Sequence, residues 1–92
     1  MRPNPILAAA PMPGIYPGGT GRDALLLEYA SALEAAWRLR NALRLVTVAG
    51  RDYVGADAHA KAVSAHEEAM GMAHDVACHL HRVLDALREG KP

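Results

Sequence analysis

An all-α helical hairpin is the fold this chain of 92 residues predicts. Three observations predict it. Apolar residues recur at steps of three and four through two long stretches, the spacing of one helical face. Prolines and most glycines sit outside those stretches, where they punctuate structure instead of interrupting it. A short polar segment joins the two stretches, and so short a link folds two helices back antiparallel.

Residues 1–21 come first. They hold Pro3, Pro5, Pro11, Pro13 and Pro17 together with Gly14, Gly18, Gly19 and Gly21. Proline removes backbone donors and glycine adds freedom, so an extended arm without helix or central strand is expected here. Ile6, Leu7, Ile15 and Tyr16 are its apolar anchors, by which it is expected to reach a neighbouring subunit or a partner protein.

The first long helix is expected over about 21–48. Thr20-Gly21-Arg22-Asp23 has the spacing of a capping box. Leu25, Tyr29, Ala32, Ala36, Leu39, Leu43 and Val46 form its apolar stripe, widened by Leu26, Leu33 and Trp37. Gly50 provides a stop. Val46-Thr47-Val48 is the segment most prone to fray, because β-branched side chains lose rotamer freedom in a helix. The second helix is expected over about 53–89, capped by Asp52 or Asp57 and ended by Gly90 and Pro92. Its apolar face runs Ala62, Val63, Ala69, Met70, Ala73, Val76, Ala77, Leu80, Val83, Leu84, Leu87.

The composition makes this hairpin thin. Hydrophobic residues are 51% of the chain, but 19 of the residues are Ala and aromatics are only 4%. Burial stabilises in proportion to apolar area, roughly 25 cal/mol per Å², and Ala contributes little. Leu27 and Leu45 fall off the main stripe. Pairing of two hairpins into a four-helix bundle, as a homo-oligomer, is therefore expected. Leu25, Tyr29, Leu33, Trp37, Leu39 and Leu43 of the first helix, with Val63, His66, Met70, Leu80, Leu84 and Leu87 of the second, are the expected interface residues. The basic run Arg38, Arg40, Arg44, Arg51 and the acidic group Glu67, Glu68, Asp75 are expected to answer each other across the hairpin, Arg38 lying opposite Glu67 and Glu68.

Ten basic and ten acidic residues cancel, which tells against a nucleic-acid surface. No run approaches the roughly 18 apolar residues of a membrane span. A single cysteine, Cys78, allows no intrachain disulfide and suits a reducing, cytoplasmic setting. Nucleophiles are few, none sits in a G-x-S-x-G elbow, and the glycines lack the Lys-Ser/Thr pair of a phosphate loop. A non-enzymatic protein without a bound cofactor is the expectation.

All five histidines lie on the second helix. His74, Cys78, His81 and Asp85 fall within about 60° of one another at helical spacing. Imidazole and thiolate are zinc and copper ligands, so His74, Cys78 and His81 form the candidate metal set, with Glu28 or Glu67 as further ligands. A straight helix spreads these residues over several turns, so only neighbours at i, i+3 or i+4 can share an ion. His59 and His66 are expected to point into the apolar seam, where a polar residue can fix register.

Met72-Ala73-His74-Asp75-Val76 resembles the phospho-accepting segment of sensor kinases, where a His followed by an acid lies on a dimeric helical hairpin. Here His74 lies on the second helix. Tyr53-Val54-Gly55 is similar to the W-x-G turn of the WXG100 family of small secreted helical hairpins, with Tyr in place of Trp. That resemblance implies a secreted hairpin. The residues themselves favour a self-associating assembly, scaffold or adaptor protein, a component of a large assembly such as a virion among them. A metal-binding or metal-sensing bundle is the alternative they offer.

Overall fold

The structure is a computed structural model that describes residues 4–14 and 18–89. Among these there are no strands. The elements in order are a one-turn helix α1 (Pro5–Ala8), a long helix α2 (Arg22–Arg44), a 3-10 turn (Gly50–Asp52) and a longer helix α3 (Ala56–Glu89). The two long helices pack against each other as an antiparallel pair. The molecule measures 59 × 23 × 19 Å with a radius of gyration of 17.6 Å, against about 12 Å for a compact domain of this length.

The arm departs from the expected extended chain at one place. Asn4 Oδ1 accepts from the Ile6 N–H at 3.0 Å and the Leu7 N–H at 3.1 Å, and Pro5 occupies the first turn. Proline is favoured there because its missing N–H is one that has no helical partner anyway. The arm's prolines thus start a turn of helix instead of forbidding it. Leu7 lies against the chain's own α3, while Ile6 is 80% exposed. The other two anchors, Ile15 and Tyr16, lie outside the described residues, as do Gly90 and Pro92.

α2 is shorter than expected and starts differently. Gly21, not Thr20, stands at its N-cap, and no side chain caps it. The helix ends at Arg44, and Val46, Thr47 and Val48 leave it altogether. Those β-branched residues run alongside the first turns of α3, where His59 Nε2 donates to the Val48 carbonyl at 3.1 Å. The entry to α3 is also not made by an aspartate: Asp52 closes the 3-10 turn and Asp57 lies inside the first helical turn. Instead Gly55 takes φ +89°, a conformation that strains residues with a Cβ.

Leu33, Ala36, Ala77 and Leu84 form the buried cluster, flanked by Leu26, Tyr29, Trp37 and Leu80. Val83 and Leu87 are also buried, at 2% and 1% exposure. On α3 the expected face is buried at Ala73, Ala77, Val83, Leu84 and Leu87 and half-buried at Val63, Met70 and Leu80, while Ala69 and Val76 border an open groove and Val76 is exposed. On α2 the buried stripe is rotated toward Leu26, Leu33 and Ala36, so Ala32 and Leu39 are exposed and lie outside the seam. Two stripes at steps of three and four interleave on this helix, and periodicity alone does not rank them. Leu27 and Leu45 are exposed, as their place off the stripe implies. Arg22 joins the open ends of the hairpin: its Nε and a terminal nitrogen donate to the Leu87 and Arg88 carbonyls, each at 2.7 Å. These are carbonyls that the last turn of a helix leaves without partners.

Gly55→Ala is expected to destabilise the fold by about 1–2 kcal/mol, the cost of a left-handed residue with a Cβ. Gly50→Ala is the contrast, since an added Cβ there meets the His59 ring only at an ordinary 3.6 Å. Urea unfolding of both variants checks this: equal midpoints would refute the role given to Gly55.

Candidate functional site

The hairpin has two unlike faces, and their difference follows from α3. One stripe of this helix, Val63, His66, Met70, Ala73, Ala77, Leu80, Leu84 and Leu87, advances by alternate steps of three and four and faces α2. A second stripe runs beside it: Ala58, Ala62, Ala65, Ala69, Met72 and Val76. It also alternates four and three. One partner helix covers one such stripe, so α3 carries apolar surface for two.

The matching edge of α2 is Ala32, Ala36, Leu39 and Leu43. Between the two edges lies an apolar groove of about 420 Å³, lined by Ala36, Leu39, Leu43, Ala69, Met72, Ala73 and Val76. Leu39, Met72 and Val76 are 53%, 62% and 42% exposed. Not one of the lining residues is charged. Charges flank the groove without lining it: Glu28 stands one turn from Ala32 on α2, and Glu68 and Asp75 stand one turn either side of Met72 on α3, while Glu34 and Arg38 lie on the other side of α2. The opposite face carries a wide cleft lined by Arg40, Arg44, His66, Glu67, Met70, Gly71 and His74.

The expected pairing of charge patches is different in detail. Arg38 pairs with Glu34 one turn back in its own helix, while Arg40 and Arg44 are the arginines that share a cleft with Glu67. The hairpin register sets this: Arg22 level with Leu87, and Leu33 beside Ala77, bring residue 43 level with about residue 66.

The candidate metal residues separate into two pairs. Cys78 Sγ lies 3.4 Å from His74 Nε2. His81 Nδ1 turns instead to Asp85 Oδ2 at 3.1 Å. Among the described residues no three His, Cys, Asp or Glu side chains converge as a metal site needs. His59 is half-buried and bonds to the loop, and its ring lies 5.9 Å from that of Tyr53. The Nε2 is the donor, because a carbonyl only accepts. His66 lines the wide cleft beside Arg40 and Arg44. His79 Nδ1 is buried without a hydrogen-bond partner among the described residues.

Among the residues that sequence reasoning missed is Arg82. Its guanidinium donates to the Leu7 carbonyl at 2.8 Å and the Ala8 carbonyl at 3.3 Å, which ties α1 to α3 beside Cys78. No local signal marks it, since its partners lie more than seventy positions away. Among the described residues, no helix is long and apolar enough to cross a membrane.

Compared with known proteins, the chain matches no protein-family model, no curated protein and no solved structure at a significant level.

Arg82→Gln is expected to release α1 from α3 without unfolding the hairpin. Hydrogen exchange at the Ala8 and Ala9 amides, which bond to Asn4 and Pro5 carbonyls, should speed up while exchange in the middle of α3 stays unchanged. Unaltered exchange at Ala8 and Ala9 would show that Arg82 does not hold the arm.

Proposed function

We propose that this chain is a non-enzymatic, self-associating helical hairpin that serves as an assembly or scaffold component. The observation that carries this reading is the uncharged groove. A monomer that keeps Leu39, Met72 and Val76 in water along an uncharged groove leaves apolar area unburied, and such patches mark interaction sites. A second copy is the occupant. Its own groove is equally apolar and equally Ala-rich, so the two surfaces are alike in chemistry, as an isologous contact requires. Small side chains at Ala32, Ala36, Ala65 and Ala69 let helices approach toward the near end of the 8–10 Å packing range. Leu39 and Met72 supply the bulk that would fill the opposing groove. Face-to-face pairing of this kind makes a four-helix bundle and covers the second stripe of α3. It leaves the charged face and Ile6 of the arm at the surface, where further partners of an assembly would bind.

Sedimentation measurements test this. The chain should sediment at about twice its 9.8 kDa or at a higher multiple. Leu39→Glu and Met72→Glu should each weaken association by about a hundredfold or more, because a carboxylate forced into an apolar contact loses its water without gaining a partner. Leu27→Glu changes a still more exposed leucine on the other side of α2 and should leave the mass unchanged. A monomer at high micromolar concentration would overturn the reading, and so would equal effects of Leu39→Glu and Leu27→Glu.

A further inference from the structure

We infer that the cleft on the charged face binds a phosphate-bearing anion. It is a wide surface cleft open to solvent along the hairpin. Arg40 and Arg44 form one wall from α2, and His66 and His74 face them from α3, with Met70 between.

Arg22 binds the last carbonyls of α3, Arg38 pairs with Glu34, Arg82 holds α1 and Arg88 reaches Asp85. Among the described arginines, Arg40, Arg44 and Arg51 make no ion pair or side-chain hydrogen bond, and of these three Arg40 and Arg44 line the cleft. Glu67 lines the same cleft, yet lies beyond ion-pair distance of both. Arg40 is also held in place: it is half-buried, and its guanidinium stacks over the Trp37 ring at 5.1 Å. One helical turn separates the two arginines, so their side chains leave neighbouring points on one face. A guanidinium presents a planar fork that fits phosphate oxygens, and the imidazoles opposite carry ring N–H donors, His74 having Nδ1 clear of its Cys78 contact. Phosphate offers three or four acceptor oxygens, enough to be met from both helices at once, where a carboxylate offers two.

This inference stands apart from self-association, which uses the opposite face. Pyrophosphate titrated at constant ionic strength is the test, followed by calorimetry and by the ring proton signals of His66 and His74. Saturable binding at one site per chain is expected, with both histidines shifting. Arg40→Gln with Arg44→Gln should weaken it by about tenfold or more, as loss of charge-assisted bonds implies, while circular dichroism confirms that α2 persists. Arg51→Gln removes an arginine outside the cleft and should have no effect, and Leu39→Glu should bind normally whatever its mass. Non-saturating titration overturns the proposal, and so does equal loss in Arg51→Gln, which would mean diffuse charge attraction.

Discussion

The close approach of α2 and α3 over Ala36, Ala73 and Ala77 governs the rest of this molecule. Alanine at those positions lets the two backbones come near, and Leu33 and Leu84 then interlock above and below. Each alanine contributes little buried area, however, so stabilisation has to be collected along a great length. The result is a rod 59 Å long and about 20 Å across. A rod has more surface for its volume than a sphere, and a chain built this way cannot hide all of its apolar residues. The open groove at Leu39 and Met72 is a direct consequence of the narrow seam.

A second consequence concerns the ends. A thin seam cannot enclose its own termini, and the structure closes three junctions by one device: a side-chain N–H reaching a backbone carbonyl. Arg22 does this at the end of α3, His59 at the loop and Arg82 at the arm. Each reaches a carbonyl at the end of a helix or in the loop, and those of Arg22 and Arg82 couple segments more than sixty positions apart. The longer helix makes this possible. α3 has 34 residues and α2 has 23, so the first turns of α3 extend past the end of α2 and provide the ledge along which residues 45–55 return.

The two faces of the hairpin then divide the chemistry. Within the uncharged groove only shape and apolar area can select a partner, which suits a second copy of an equally plain surface. On the charged face, arginines and histidines from both helices meet across the open cleft. Because the faces are opposed, occupation of one leaves the other accessible. A self-associating scaffold that also holds an anionic ligand is therefore consistent with this geometry, each activity resting on its own residues.

Much of the architecture was legible in the residue order. The periodicity of Leu80, Leu84 and Leu87 marks the buried side of α3, and the concentration of proline before residue 21 marks where the long helices begin. Two kinds of feature were not legible. Where two apolar stripes interleave, as on α2, the spacing of Leu25, Leu39 and Leu43 does not reveal which stripe meets α3. Where a helix ends depends on competing partners: Val46 and Val48 leave α2 although their apolar character could continue it, because His59 holds the loop carbonyl from the other side. The candidate metal residues show the same limit, since helical phase brings His81 near Cys78 in angle while Asp85 takes its imidazole.

What the sequence by itself determined is the local pattern: helix, break, helix, with a proline-rich lead. Those are decided by backbone preferences and by apolar spacing within a few turns. Only the tertiary structure decided the register between the helices, the stripe left in water and the identity of the arginines without partners. Each of these depends on side chains dozens of positions apart meeting in space, and periodicity carries no information about what a face will touch.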